Sequence, residues 1–173
     1  RPVFLSFDDG DFLLEPRPDL MAGEDEISRS AYRRIEYSTR SPYAQRSVHL
    51  LDGSVIRVEE LPDADGKFTR TIYYEASLPV EGIRDMDGDG DPEIREQFRN
   101  GRLWKIMLDQ DGDGVHEYEQ IYEGDSTRMY WDYDEDGMYD STTVAGTDGT
   151  SVRTFSSGLN GAYDLRASGG AAP

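Results

Sequence analysis

Three acidic nonapeptides recur along the chain: "DMDGDGDPE" from Asp85, "DQDGDGVHE" from Asp109 and "DYDEDGMYD" from Asp132. Each has Asp at positions 1, 3 and 5, Gly at 6 and an acid at 9. Their starts lie 24 and 23 residues apart. The intervening segments carry β-type residues and the helix-breaking turns "RNG" and "EGD". Such a period holds an acidic loop, a strand, a tight turn and a second strand. The chain is thereby directed toward an all-β fold, an antiparallel meander of repeated hairpins in units of about 23 residues. Acidic loops then lie at one end of the strands and ordinary turns at the other. "PDADG" at Asp63 reads as a decayed copy of the loop, with Lys67 where a backbone carbonyl ligand would come.

Charge gives these loops a chemistry. Residues 85–140 hold 18 acidic and 5 basic side chains, a net −13 out of −18 for the whole chain. Carboxylates packed a few ångströms apart raise one another's pKa and strain the loop unless a cation sits among them. The spacing suits one. Alternate residues of a tightly wound loop converge, Gly at position 6 permits a sharp turn, position 7 offers a main-chain carbonyl, and position 9 closes the shell. The candidate ligands are Asp85, Asp87, Asp89, Asp91 and Glu93; Asp109, Asp111, Asp113, Val115 and Glu117; and Asp132, Asp134, Asp136, Met138 and Asp140, with Asp91, Val115 and Met138 contributing carbonyls. An all-oxygen set favours Ca²⁺ over Zn²⁺ or Cu, and its adaptable geometry favours Ca²⁺ over Mg²⁺. About three Ca²⁺ ions are expected. With Asp91 at its seventh position and Glu96 following at its twelfth, the first loop is the most acidic, and it is expected to be the tightest site.

The motif D-x-D-x-D-G-x-x-[DE] resembles that of calcium-loop proteins: EF-hands, dockerins, thrombospondin type 3 repeats and integrin-type propeller loops. The resemblance covers the three windows, within a repeated stretch from Asp85 to about Val144. An EF-hand has Glu at position 12; here that position holds Glu96, Gln120 and Thr143. Pro92 also stands at position 8 of the first loop. The chain is therefore more similar to the strand–loop–strand members, which implies a structural role for calcium over a sensor role.

The remaining sequence divides less sharply. Residues 1–35 are expected to be an irregular or short-helical segment packed on the main domain, residues 32–157 the β-meander with its calcium loops at 85–144, and residues 158–173 a flexible tail or linker. The opening "RPVFLSF" suggests a mature or excised piece. Excess acid disfavours nucleic acid and anionic membranes. No apolar run is long enough to span a bilayer, so no direct membrane insertion is expected, and the absence of Cys removes thiolate sites. "FLSFDDG" resembles the first motif of polysaccharide deacetylases, but that family also needs a His-x-x-x-His pair, whereas His49 and His116 are the only histidines here. His49 reads as a surface or satisfied polar residue and His116 as pointing away from the ion. Phe98, Trp104, Tyr118, Tyr122, Trp131 and Tyr133 read as the core face of the meander.

These features predict a non-enzymatic calcium-binding structural or interaction module of an extracytoplasmic protein, on a bacterial surface or in a periplasm. Its partner would be a protein or a glycan. The alternatives are a calcium-dependent glycan-binding module and a polysaccharide-acting hydrolase domain with structural calcium.

Overall fold

The structure, a computed structural model, describes residues 3–7, 10–16, 31–38, 40–156 and 158–169. Every regular element among them is a β-strand. The chain forms two compact units, Arg1–Gly88 and Asp89–Pro173.

The first unit contains β1 (Val3–Phe7), β2 (Gly10–Pro16), β3 (Ala31–Tyr37), β4 (Ala44–Leu51), β5 (Ser54–Pro62), β6 (Phe68–Glu75) and β7 (Leu78–Arg84). Each pairs antiparallel with the next. The pairing follows from strand alternation joined by tight turns. Asp52-Gly53, at φ of 49° and 78°, gives the positive angles that a two-residue hairpin turn needs. Its apolar core is small: Ala31, Ile35, Val48, Val58 and Ile72 are buried. Val48 stands opposite Val58, and Val58 opposite Ile72. Burying such a side chain contributes about 1.5–3 kcal/mol.

The second unit contains β8 (Ile94–Arg99), β9 (Arg102–Leu108), β10 (Tyr118–Glu123), β11 (Ser126–Trp131), β12 (Ser141–Gly146), β13 (Ser151–Phe155) and β14 (Leu165–Gly169), again an antiparallel meander. Asn100-Gly101, at φ of 51° and 75°, makes the predicted β8–β9 turn. The buried residues here are of another kind. Met107 is the one buried hydrophobic side chain among the described residues of this unit; the other buried residues are Glu96, Glu119, Asp132, Asp140, Ser141 and Ser156.

The all-β antiparallel meander is as the sequence predicts; several particulars differ. The N-terminal segment expected to be irregular or short-helical is strand wherever it is described, in β1, β2 and β3, because "VFLSF", "DFLLE" and "YRRIEY" find antiparallel partners; the expected connector and helix start at 17–30 lie outside the described residues. The main domain expected over 32–157 is divided at Gly88. Strand β7 is absent from the sequence reading, since Pro79 and Gly82 argue against a strand. It forms through a turn at Ala76 and Ser77, both at positive φ (48° and 63°). The expected tail includes β14, whose backbone bonds β13 although its side chains are exposed. The aromatic core face is only partly realised. Tyr118 packs on Trp131 at 5.2 Å between ring centroids, and Arg99 lies 3.3 Å over the Trp104 ring. Tyr122 and Tyr133 are exposed. Tyr122 lies near the end of β10, opposite Thr127, and Tyr133 lies in the loop that follows β11.

Candidate metal centre

The second and third acidic loops, residues 109–117 and 132–140, join β9 to β10 and β11 to β12. Both are wound by their first carboxylate. Asp109 Oδ1 accepts from Gly112 N (2.9 Å) and Oδ2 from Gly114 N (3.1 Å). Asp132 Oδ1 accepts from Glu135 N (2.9 Å) and Oδ2 from Gly137 N (2.8 Å). The fifth position repeats the device one turn on, with Asp113 accepting from Val115 N at 2.7 Å and Asp136 from Met138 N at 2.8 Å. Two positions per loop take positive φ. Position 6, which the sequence singles out, has 90° at Gly114 and 86° at Gly137; position 4, which it does not, has 74° at Gly112 and 60° at Glu135. A non-glycine residue there costs on the order of 1 kcal/mol.

This winding brings carboxylates together. One oxygen from each of Asp109, Asp111 and Glu117 lies within 4.8 Å of the others, and the same holds for Asp132, Asp134 and Asp136. Two oxygens bound to one Ca²⁺ at about 2.4 Å can be no more than about 4.8 Å apart, so either group can hold a cation. Asp113 falls outside the first group. It joins Asp111 and Glu135 in a third, which crosses from one loop to the next.

Position 9 closes each loop onto position 2. Both oxygens of Glu117 accept from Gln110 N, at 2.9 and 3.0 Å. Asp140 is one methylene shorter, and only its Oδ2 bonds Tyr133 N, at 3.0 Å. Asp140 is 1 % exposed, and its Oδ1 is buried without a hydrogen-bond partner. An unpaired buried carboxylate oxygen is expensive and calls for a cation or proton. Asp140 also bears on its own loop. The Asp134 carboxyl is raised above the ordinary range by loss of solvent, then by the charges of Asp136 and Asp140. Glu135 is raised first by Asp111 of the neighbouring loop, with Glu117, Asp113 and Asp132 contributing.

The two loops adjoin. Asp132 N donates to Glu117 O at 3.0 Å. A pocket of about 240 Å³ lies between them, lined by Gly114, Val115, His116, Asp132, Gly137 and Tyr139. The eighth positions turn toward β10. His116 Nδ1 is 3.4 Å from the buried Glu119, which also meets Lys105 Nζ at 2.6 Å. Tyr139 is pushed well up, by burial and by Glu119.

The first loop, residues 85–93, straddles the division between the units. In the first unit Gly88 N donates to Asp85 Oδ1 at 2.6 Å, with Asp87 between them. Lys67 Nζ donates to Gly88 O at 3.0 Å and stands 3.8 Å from Asp85. The residue read as a spoiled ligand position is thus a fixed positive charge beside this loop. In the second unit Asp91 N bonds Asp89 Oδ1 at 2.8 Å, and Glu93 O accepts from Asp109 N at 2.9 Å. Glu96 is buried within β8.

Residues 158–173 were expected to be a flexible tail or linker, but the described residues within 156–164 repeat features of the acidic loops. The segment starts 24 residues after Asp132 and reads "SSGLNGAYD". Its fourth and sixth positions, Leu159 and Gly161, have φ of 47° and 70°. Ser156 N bonds Asp140 O at 2.7 Å, and Asp164 N bonds Phe155 O at 2.9 Å, just as Asp140 N bonds Trp131 O at 2.7 Å. Neutral groups do the winding here. Ser156 Oγ accepts from Asn160 N (3.1 Å) and donates to Asn160 Oδ1 (2.9 Å), which accepts from Ala162 N (3.1 Å).

His49, read as a surface or satisfied polar group, is satisfied and buried. Its Nε2 lies 3.3 Å from Ser47 Oγ and 2.9 Å from Glu59 Oε2. A Ser–His–acid relay needs the two partners on different ring nitrogens; here both meet the same one, so the cluster is structural. Glu59 is held below the ordinary carboxylate range, chiefly by the His49 hydrogen bond and further by Arg57. The i, i+2 spacing of Ser47 and His49 on one strand face was the available signal.

No known family model matches the chain, and no curated protein shows significant sequence similarity to it.

Proposed function

We propose that this chain is a calcium-binding structural or interaction module, its acidic loops holding about three ions that rigidify a β-repeat scaffold. The single observation that carries the reading is the buried, unpartnered Oδ1 of Asp140, in a loop where Asp132, Asp134 and Asp136 converge. A cation there would answer the orphaned oxygen and the mutual repulsion at once. Calcium is preferred because every donor is a hard oxygen and the loops hold a wide, irregular set. The resemblance to strand–loop–strand calcium proteins points the same way. The third loop is then the best site and the first the poorest, because Lys67 already stands beside Asp85. This reverses the ranking that acidity alone suggests.

Weak sites of this type fill where calcium is plentiful, which favours an extracytoplasmic setting, on a bacterial surface or in a periplasm. The partner would be a protein or glycan. Calcium-dependent glycan binding is the second reading, favoured by the pocket between the second and third loops, where an ion with an open side could accept sugar hydroxyls.

The test is thermal unfolding with and without calcium. A ligand at a hundred times its Kd stabilises by about 2.7 kcal/mol, so calcium is expected to raise the Tm of the second unit by on the order of 10 °C. Identical melts in calcium and in EGTA would overturn the reading.

A further inference from the structure

One buried carboxylate meets both the second and the third loop. Glu119, on β10, is 8 % exposed and stands opposite Met107 of β9 and Tyr130 of β11. Its Oε1 lies 2.6 Å from Lys105 Nζ and 3.4 Å from His116 Nδ1. Tyr139 reaches it from the third loop. The Tyr139 ring lies 5.1 Å from that of Tyr130, and its hydroxyl hydrogen bonds to Glu119. His116 and Tyr139 hold the same place, position 8, in residues 109–117 and 132–140. The first loop has Pro92 there, which offers no polar side chain. The same imidazole and phenol line the pocket between the two loops. A buried carboxylate is costly unless it is paired and hydrogen-bonded. Lys105 supplies the opposite charge, and each loop supplies one further polar contact. Withdrawing either loop strips a partner from a buried charge, so both are drawn onto β10.

We infer that Glu119 is the positioning residue of both loops: through His116 and Tyr139, one carboxylate on a strand sets residues 109–117 and 132–140 in place before any ion arrives. The anchor needs no calcium; only its consequence for ion affinity rests on the calcium reading above. A loop that is already ordered loses less freedom when it binds. Removing the anchor should therefore loosen both loops and weaken both as cation sites.

Lys105→Met combined with Glu119→Leu tests this. Replacing both members of a buried ion pair by apolar side chains of similar volume leaves a fold near its native stability. Amide exchange is followed by NMR in EGTA at Gly114 and Gly137, whose N–H groups bond Asp109 and Asp132. Both are expected to exchange about tenfold faster in the double variant, with Val58 and Ile72 of the first unit unchanged. Tyr139→Phe keeps the ring and removes the hydroxyl, so it should speed Gly137 and leave Gly114 at its native rate. Native rates at both glycines in the double variant, or at Gly137 in Tyr139→Phe, would overturn the inference. A calcium titration of the same proteins separates it from the calcium reading. If Gly114 and Gly137 shift with calcium in the native chain, both midpoints should rise about tenfold in the double variant, and unchanged midpoints would overturn the positioning role. If neither native glycine responds to calcium, the calcium reading falls, and the exchange rates in EGTA decide the anchor by themselves.

Discussion

Residues 132–140 and the described residues of 156–164 share positive φ at their fourth and sixth positions and the same bonds at their ends, with opposite chemistry. The first carries five acidic residues, the second one. In the second, a serine hydroxyl and an asparagine amide bond each other and the loop N–H groups. In the first, carboxylates take over that task with oxygens to spare, and Asp140 Oδ1 is left buried with nothing to bond. The neutral loop shows that the fold does not need the acids in order to wind. On the proposed calcium reading, their surplus charge is a cost to the protein alone that a cation among them would offset.

The contrast can be broken at its sharpest point. Asp140→Asn removes the uncompensated buried charge and keeps a carbonyl oxygen for Tyr133 N. In calcium it should lower stability by about 2 kcal/mol, as the third loop loses a charged ligand. In EGTA the sign should reverse, with a gain of about 1 kcal/mol from relief of the buried charge. Urea unfolding under the two conditions reads both; a loss of equal size in each would mean that Asp140 is purely structural.

The contrast can also be erased from the other side. Ser156→Asp combined with Gly158→Asp gives the neutral loop the acids it lacks at positions 1 and 3. Gly158 needs no positive φ, and an added Cβ meets only ordinary contacts to Asn160. The variant should bind one more ion by calorimetric titration and lose about 1 kcal/mol without calcium. An unchanged ion count would show that loop course and acid spacing do not suffice.

The smallest effect provides the control. Glu59 belongs to the first unit, and its pKa is lowered by His49 and Arg57. A carboxyl depressed in the folded state gives stability that is present above its unfolded pKa of about 4.3 and is lost as pH falls through the folded value. Glu59→Gln should flatten that acid loss in melts between about pH 6 and pH 3, equally in calcium and in EGTA. If calcium alters the effect, the titration of Glu59 and the filling of the loops are not separate events.

Much of this was legible in the sequence. The strand-like runs between turn signals gave the all-β antiparallel meander, and Asn100-Gly101 gave a turn. Sequence reasoning missed β7 because Pro79 and Gly82 speak against a strand, and the turn at Ala76 and Ser77 carries no recognisable signal. It missed the loop at 156–164 because the pattern was sought in carboxylates, while the 24-residue interval continued unbroken. The reach of Glu135 was invisible for another reason. It depends on the left-handed backbone at position 4 and on the neighbouring loop, and neither is written in a nine-residue window.

The central claim is that the surplus carboxylates of 132–140 exist to hold a cation. A crystal structure grown in calcium tests it most directly. The account predicts an ion in that loop with an oxygen shell at about 2.4 Å that includes Asp140 Oδ1. An ordered loop with no ion, and Asp140 Oδ1 bonded instead to water or a protein donor, would contradict it.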